Sequence, residues 1–131
     1  IADMHQSSYI KDCLTHIGDA SRYEERRWGT IKTIDNDEDD GIKSVTQRIK
    51  VVSGKTMPFH RHEKHTETIT VLSGMGKLIL EGTEVDLLAG STVSIAAGKA
   101  HAIRALGSDL RLIEVSIGDT DEDQIAIQEQ M

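Results

Sequence analysis

The chain has 131 residues, a formal net charge of −7, 3% aromatic residues and a single cysteine. That length fits one domain with a sizeable core, which must be aliphatic, and the acidic balance disfavours nucleic acid and anionic membranes as partners. Cys13 has no partner for an internal disulfide, and no apolar run or signal peptide points to a membrane or export, so a cytoplasmic location is expected.

Residues 1–27 differ from the rest. Ser7 or Ser8 can cap a helix, and Ile10, Leu14 and Ile17 fall on one helical face before Gly18. This pattern predicts a short amphipathic helix over 8–17, with Cys13 as a small core residue beside it. Residues 22–27, RYEERR, read as a charged connector. The expected division is therefore a helix and connector over 1–27 and one β domain over 28–131.

Trp28-Gly29 opens a strand over 30–34. The following DNDEDDG, 35–41, lacks the spacing and distal Glu of an EF-hand loop and reads as a solvated hairpin loop. Next, Val45, Gln47, Ile49 and Val51 share one strand face, with Thr46, Arg48 and Lys50 on the other. Strands are predicted over 66–72, 77–81, 84–88 and 92–95, separated by turns at 73–76, 82–83 and 89–90. A pair of strands over 102–106 and 110–117 is expected around Gly107-Ser108-Asp109. So many short, closely spaced strands argue for an all-β sandwich or barrel. No GxGxxG, P-loop or GxSxG is present.

Two stretches carry the chemistry. Gly54, His60, His62, Glu67 and Gly74 form the first; Gly90, Gly98 and His101 form the second. Residues two apart on a strand share a face, so His60 and His62 aim at one point. Imidazole nitrogen with carboxylate oxygen suits a first-row transition metal. His5, His16 and His65 read as solvated or hydrogen-bonded residues outside this constellation.

The first stretch matches every fixed position of the cupin motif GxxxxxHxHxxxxExxxxxxG. The second resembles GxxxxxPxGxxHxxxN, with Ala96 replacing proline and Ala105 replacing asparagine. The resemblance implies a single jelly-roll β-barrel holding one divalent transition ion (Zn, Mn, Fe, Ni or Co) on His60, His62, Glu67 and His101.

From Arg26 to Ile127 the chain further resembles the cupin domain of type II mannose-6-phosphate isomerases, often the C-terminal part of a mannose-1-phosphate guanylyltransferase. Arg26-Arg27-Trp28-Gly29 stands for RPWG, residues 47–54 for KRLxVxPG, and residues 67–74 for EHWxVVSG. Ile113-Glu114-Val115 with Asp121-Glu122-Asp123 stands for IEV and GEDDI. Departures are His60 for a Gln ligand, Thr68 for a His, Ala102 for an Arg and Ile127 for a later arginine. No nucleotidyltransferase motif is present.

The resemblance implies a metal-dependent isomerase acting on a sugar or sugar phosphate. Such an enzyme needs a cation for phosphate and a base for the C2 proton. Arg48, Lys50 and Arg104 are the substrate-binding candidates, with Arg111 beside them, and Glu67 is the catalytic candidate. A non-catalytic sugar- or metal-binding module and a cupin dioxygenase are the alternatives. Cupin habit and the extra N-terminal segment suggest a homodimer. A local basic pocket for a small anion remains compatible with the acidic chain.

Overall fold

The computed structural model describes residues 23–119 and 125–126. The helix predicted over 8–17 lies outside the described residues, which contain strands and no helix. In chain order these are β1 (Tyr23–Arg26), β2 (Gly29–Asp39), β3 (Ile42–Val51), β4 (Thr56–Arg61), β5 (His65–Ser73) and β6 (Met75–Leu80). There follow β7 (Thr83–Leu88), β8 (Thr92–Ile95), β9 (His101–Ala105), β10 (Leu110–Gly118) and β11 (Ile125–Ala126). Among the described residues no helix is long and apolar enough to cross a membrane.

The strands form two sheets, six-stranded β1-β2-β3-β10-β5-β8 and five-stranded β11-β4-β9-β6-β7. The chain repeatedly changes sheet, as from β3 to β4, β4 to β5 and β9 to β10. Alternation along each strand sends one set of side chains inward. Ile49, Val51, Ile69, Val71, Leu110 and Leu112 from the first sheet are buried in one cluster with Met57, Leu78, Leu87 and Ile103 from the second. The core is aliphatic, as the composition requires.

Three local expectations change. Within the stretch read as a charged connector, Tyr23–Arg26 is an edge strand paired with β2. Its charged residues, Glu24, Glu25 and Arg26, tolerate an edge, where one face and one backbone edge stay wet. The acidic segment 35–41 is strand rather than loop. The ladder continues through Glu38↔Lys43 and Asp39↔Ile42, and only Asp40 (φ 53°) and Gly41 (φ 77°) make the turn. The acidic side chains remain exposed, so the solvated reading of them holds. Finally, 102–106 and 110–117 do not pair with each other. β9 lies between β4 and β6, while β10 lies between β3 and β5. Crossing the barrel lets both strands bury their apolar faces against each other.

Two motif glycines are needed for different reasons. Both have left-handed φ, +80° at Gly54 and +90° at Gly74. A Cβ on Gly54 meets open space, whereas one on Gly74 would lie 2.2 Å from the Asp109 carbonyl oxygen, where β5 ends against the β10 approach. Gly54→Ala should cost about 1–2 kcal/mol from conformation alone. Gly74→Ala should cost more, because a backbone atom must move as well. Urea unfolding of both variants checks this; an equal or smaller loss for Gly74→Ala would contradict it.

Candidate metal centre

His60 and His101 face each other as register partners on β4 and β9. The register of this pair shifts between Met57 and His60. That irregularity lets Met57 and His60, three residues apart, both be buried, which strict alternation forbids. Pro58 sits in it, where its missing N–H costs the ladder least. His62 follows one residue beyond the end of β4, and Glu67 projects inward from β5. The ligand atoms of His60, His62, Glu67 and His101 all lie within 4.8 Å of one another.

The imidazoles are oriented by backbone. His60 Nδ1 donates to the Pro58 carbonyl at 2.8 Å, and His101 Nδ1 donates to the Lys99 carbonyl at 3.0 Å. In the neutral rings this places the lone pairs on Nε2, the arrangement metal-binding histidines use. His101 Nε2 then meets Glu67 Oε1 at 3.1 Å, and His62 Nε2 lies 3.0 Å from Glu67 Oε2. Neutral His101 Nε2 and Glu67 Oε1 are both acceptors, and both are buried without a hydrogen-bond partner. Positive charge must come between them, as imidazolium protons or as a metal ion. Donors sharing one ion at about 2.1 Å lie about 3–4 Å apart, so a small inward adjustment from the 4.8 Å limit here would let the set hold a single divalent ion.

Electrostatics agree. Burial, followed by the neighbouring His101, lowers the His60 pKa to about 4, so the ring is neutral at pH 7 and available as a ligand. Burial alone would raise Glu67, but the surrounding imidazoles of His101, His62 and His65 overcome it and hold the carboxyl far below its usual range.

Two residues outside the expected constellation belong to its surroundings. His65, expected to be solvated or hydrogen-bonded outside the constellation, is 6% exposed, with Nε2 3.7 Å from Glu67 Oε2 and its ring 4.3 Å from that of His62. It lies two residues before Glu67 in β5, so the same-face rule places it there. Glu114 is buried on β10 in the inward series Leu112, Glu114, Ser116. Burial first, then the charge of Glu67 and a hydrogen bond with it, push Glu114 well above the carboxylate range. Glu114 is thus the neutral acid beneath an ionised Glu67. A glutamate on the inward face of a strand was the available signal.

The candidate substrate cations lie elsewhere. Arg48 and Lys50 are on the outer face of β3, alternating with buried Ile49 and Val51. Arg111 is exposed on β10, and exposed Arg104 reaches Thr56 Oγ1 at 3.4 Å on the outer side of β9. The four metal-ligand candidates converge; these cations do not converge with them. Thr68 and Ala102, the positions departing from the family pattern, also alternate away from Glu67 and His101. Thr68 meets Ser94 across the outer face at 3.4 Å.

Residues 47–116 match the family model of the cupin domain. A Vibrio cholerae protein provisionally named a mannose-1-phosphate guanylyltransferase is 29% identical over 126 residues, 90% of this chain, while the chain spans 26% of that relative's length. An uncharacterised Aquifex aeolicus protein is 30% identical over 88 residues, 67% of this chain and 72% of that one. Among solved structures, KdgF from Halomonas sp. superposes with a TM-score of 0.68 at 20% identity, covering 82% of this chain and 94% of that one.

Elemental analysis of protein purified without chelator should find about one equivalent of a divalent transition metal. His101→Ala and Glu67→Gln should each abolish it; less than about a tenth of an equivalent in the parent, with none taken up on soaking, would refute the site. The metal-free protein should also lose stability in acid. The His60 pKa falls from 6.5 to about 4 on folding, so the unfolded state binds the extra proton between those values. That contribution is present above pH 6.5 and is lost as pH falls towards 4. Urea midpoints across this range should decline, and His60→Asn should flatten the decline.

Proposed function

The chain belongs to the cupin family, and from that premise we propose that it is a metal-dependent isomerase of a sugar or sugar phosphate. The observation that carries this reading is the buried three-histidine, one-glutamate cluster. The similarity to a protein named for mannose-1-phosphate chemistry supports the substrate class.

His60, His62, Glu67 and His101 would hold the ion, with Nδ1 of His60 and His101 tethered to backbone carbonyls. A bound divalent ion supplies Lewis-acid polarisation of a substrate oxygen. Glu67 and Glu114 are two carboxyl groups whose surroundings drive their proton affinities apart, the pattern that separates base from acid. In this reading the pair retains one proton, held on Glu114, while Glu67 stays ionised towards the ion. Thr33 and Ser116, both buried, and the half-buried Gln47, which donates to Thr33 Oγ1 at 3.1 Å, offer hydroxyl and amide groups to a polyol.

No Lys or Arg is buried among the described residues. A substrate phosphate would therefore rest at the barrel mouth rather than beside the ligands. The same observation favours a second reading, a module that binds a sugar or metal without turnover. Metal-loaded protein incubated in D₂O with a panel of aldoses, ketoses and their phosphates, followed by proton NMR, separates the two. Deuterium should enter at C2 of at least one substrate and should cease with EDTA or His62→Ala. Absence of exchange on every substrate, with metal confirmed in place, would establish the binding module instead.

A further inference from the structure

On the outer face of the six-stranded sheet, away from the imidazole cluster, lies a groove of about 270 Å³. Its lining includes Lys32, Arg48, Lys50 and Arg111, with Tyr23 on one side and Leu72 on the other. The ladder register explains the convergence. Lys32 on β2 is directly opposite Arg48 on β3, and Lys50 on β3 is directly opposite Arg111 on β10. Directly opposed residues share a face with Cβ atoms about 5 Å apart, and residues two apart on a strand are separated by about 7 Å. Four cations from three adjacent strands are therefore packed side by side.

Like charges placed directly opposite one another destabilise a sheet. Here two such pairs adjoin, in a chain with 22 acidic residues and a net charge of −7. None of the four side chains has a hydrogen bond or ion pair among the described residues. The nearest carboxylate in the same row, Glu25, is separated from Lys50 by Thr30. An arrangement that repels itself, in a chain rich in available carboxylates, indicates an anion from outside.

The shape limits that anion. Along β3 towards the hairpin the cations stop at Arg48, and the next row is Asp35, Thr46, Val115 and Thr68, which ends the positive charge with a carboxylate. The positive charge is a spot rather than a track, which disfavours an extended polyanion. Tyr23 and Leu72 are 58% and 48% exposed and offer apolar surface beside the charge. We propose that this groove binds a small organic phosphate, with the phosphate among Arg48, Lys50 and Arg111 and an apolar body against Leu72, on the strand next to Arg111. Arginine and lysine provide charge-assisted hydrogen bonds to phosphate oxygens, and arginine does so in a planar fork. The site is independent of the isomerase reading, because it lies on the opposite side of the sheet from Glu67 and Glu114.

The test uses phenyl phosphate, inorganic phosphate and neutral benzyl alcohol as probes, with amide NMR and thermal unfolding as readouts. Phenyl phosphate should perturb amides around Arg48, Lys50 and Arg111 with a Kd of about 1 mM or tighter, bind more strongly than inorganic phosphate, and leave benzyl alcohol without effect. The Lys50→Gln/Arg111→Gln double variant should bind about tenfold or more weakly. Without phosphate it should be at least as stable as the parent, since like-charge repulsion has been removed; this shows that lost binding is not lost folding. His101→Ala should leave phenyl phosphate binding unchanged. Perturbations confined to the neighbourhood of His60 and His101, equal binding of benzyl alcohol, or no perturbation would each overturn the proposal. So would a dimer in light scattering that the double variant dissociates, with no probe bound, because a second copy would then cover the groove.

Discussion

The constraint on which the barrel interior depends is the ionised carboxylate of Glu67, 2% exposed. An unpaired buried carboxylate costs several kcal/mol, which few domains can spare. Three imidazoles and one protonated carboxyl gather about it. His62 and His101 approach its oxygens at 3.0 and 3.1 Å, and burial first, then the charge of Glu67, keep Glu114 neutral. Each of these neighbours is delivered by a different strand or turn, so the charge is satisfied only once both sheets have closed. A site of this kind couples the metal to the fold: a bound cation would relieve the same electrostatic demand that the imidazoles otherwise meet.

Much of this was legible in the sequence because strand alternation is a strict rule. His60 with His62, Glu67 with Ile69 and Val71, and the outward placement of Arg48 and Lys50 all follow from a period of two. His65 and Glu114 obeyed the same rule but stood outside the motif and were not read as part of the site. The irregularity between Met57 and His60 was not legible, since an extra residue in a strand leaves only Pro58 as its trace. Nor was the separation of β9 from β10. A short Gly-containing connection looks the same whether it folds a hairpin or carries the chain to the facing sheet.

Local signals also misplaced the acidic hairpin. Seven residues of DNDEDDG have poor strand propensity, yet all but the turn at Asp40-Gly41 are paired. Their ladder partners decide the outcome, since β3 is held on its other side by β10 through eight register pairs. A strand anchored so firmly templates its neighbour even where that neighbour's own preference is weak.

The alternation that gathers the ligands also changes the weight of the departures from the isomerase pattern. Thr68 and Ala102 replace a histidine and an arginine, and as one-dimensional losses beside Glu67 and His101 they look damaging. In three dimensions each follows a ligand by one residue on a strand, so each faces the opposite side of its sheet. Their replacement removes no group from the imidazole cluster. Thr68 joins Ser94, Thr70 and Thr92 in a hydroxyl patch on the outer surface, whereas Ala102 is fully buried. The substitution with direct bearing on the centre is His60, which stands where the pattern has glutamine. It puts an imidazole tethered to the Pro58 carbonyl where that pattern has an amide, a nitrogen in place of an oxygen. Divergence from the pattern has therefore left the four candidate ligands in place, converging within 4.8 Å of one another.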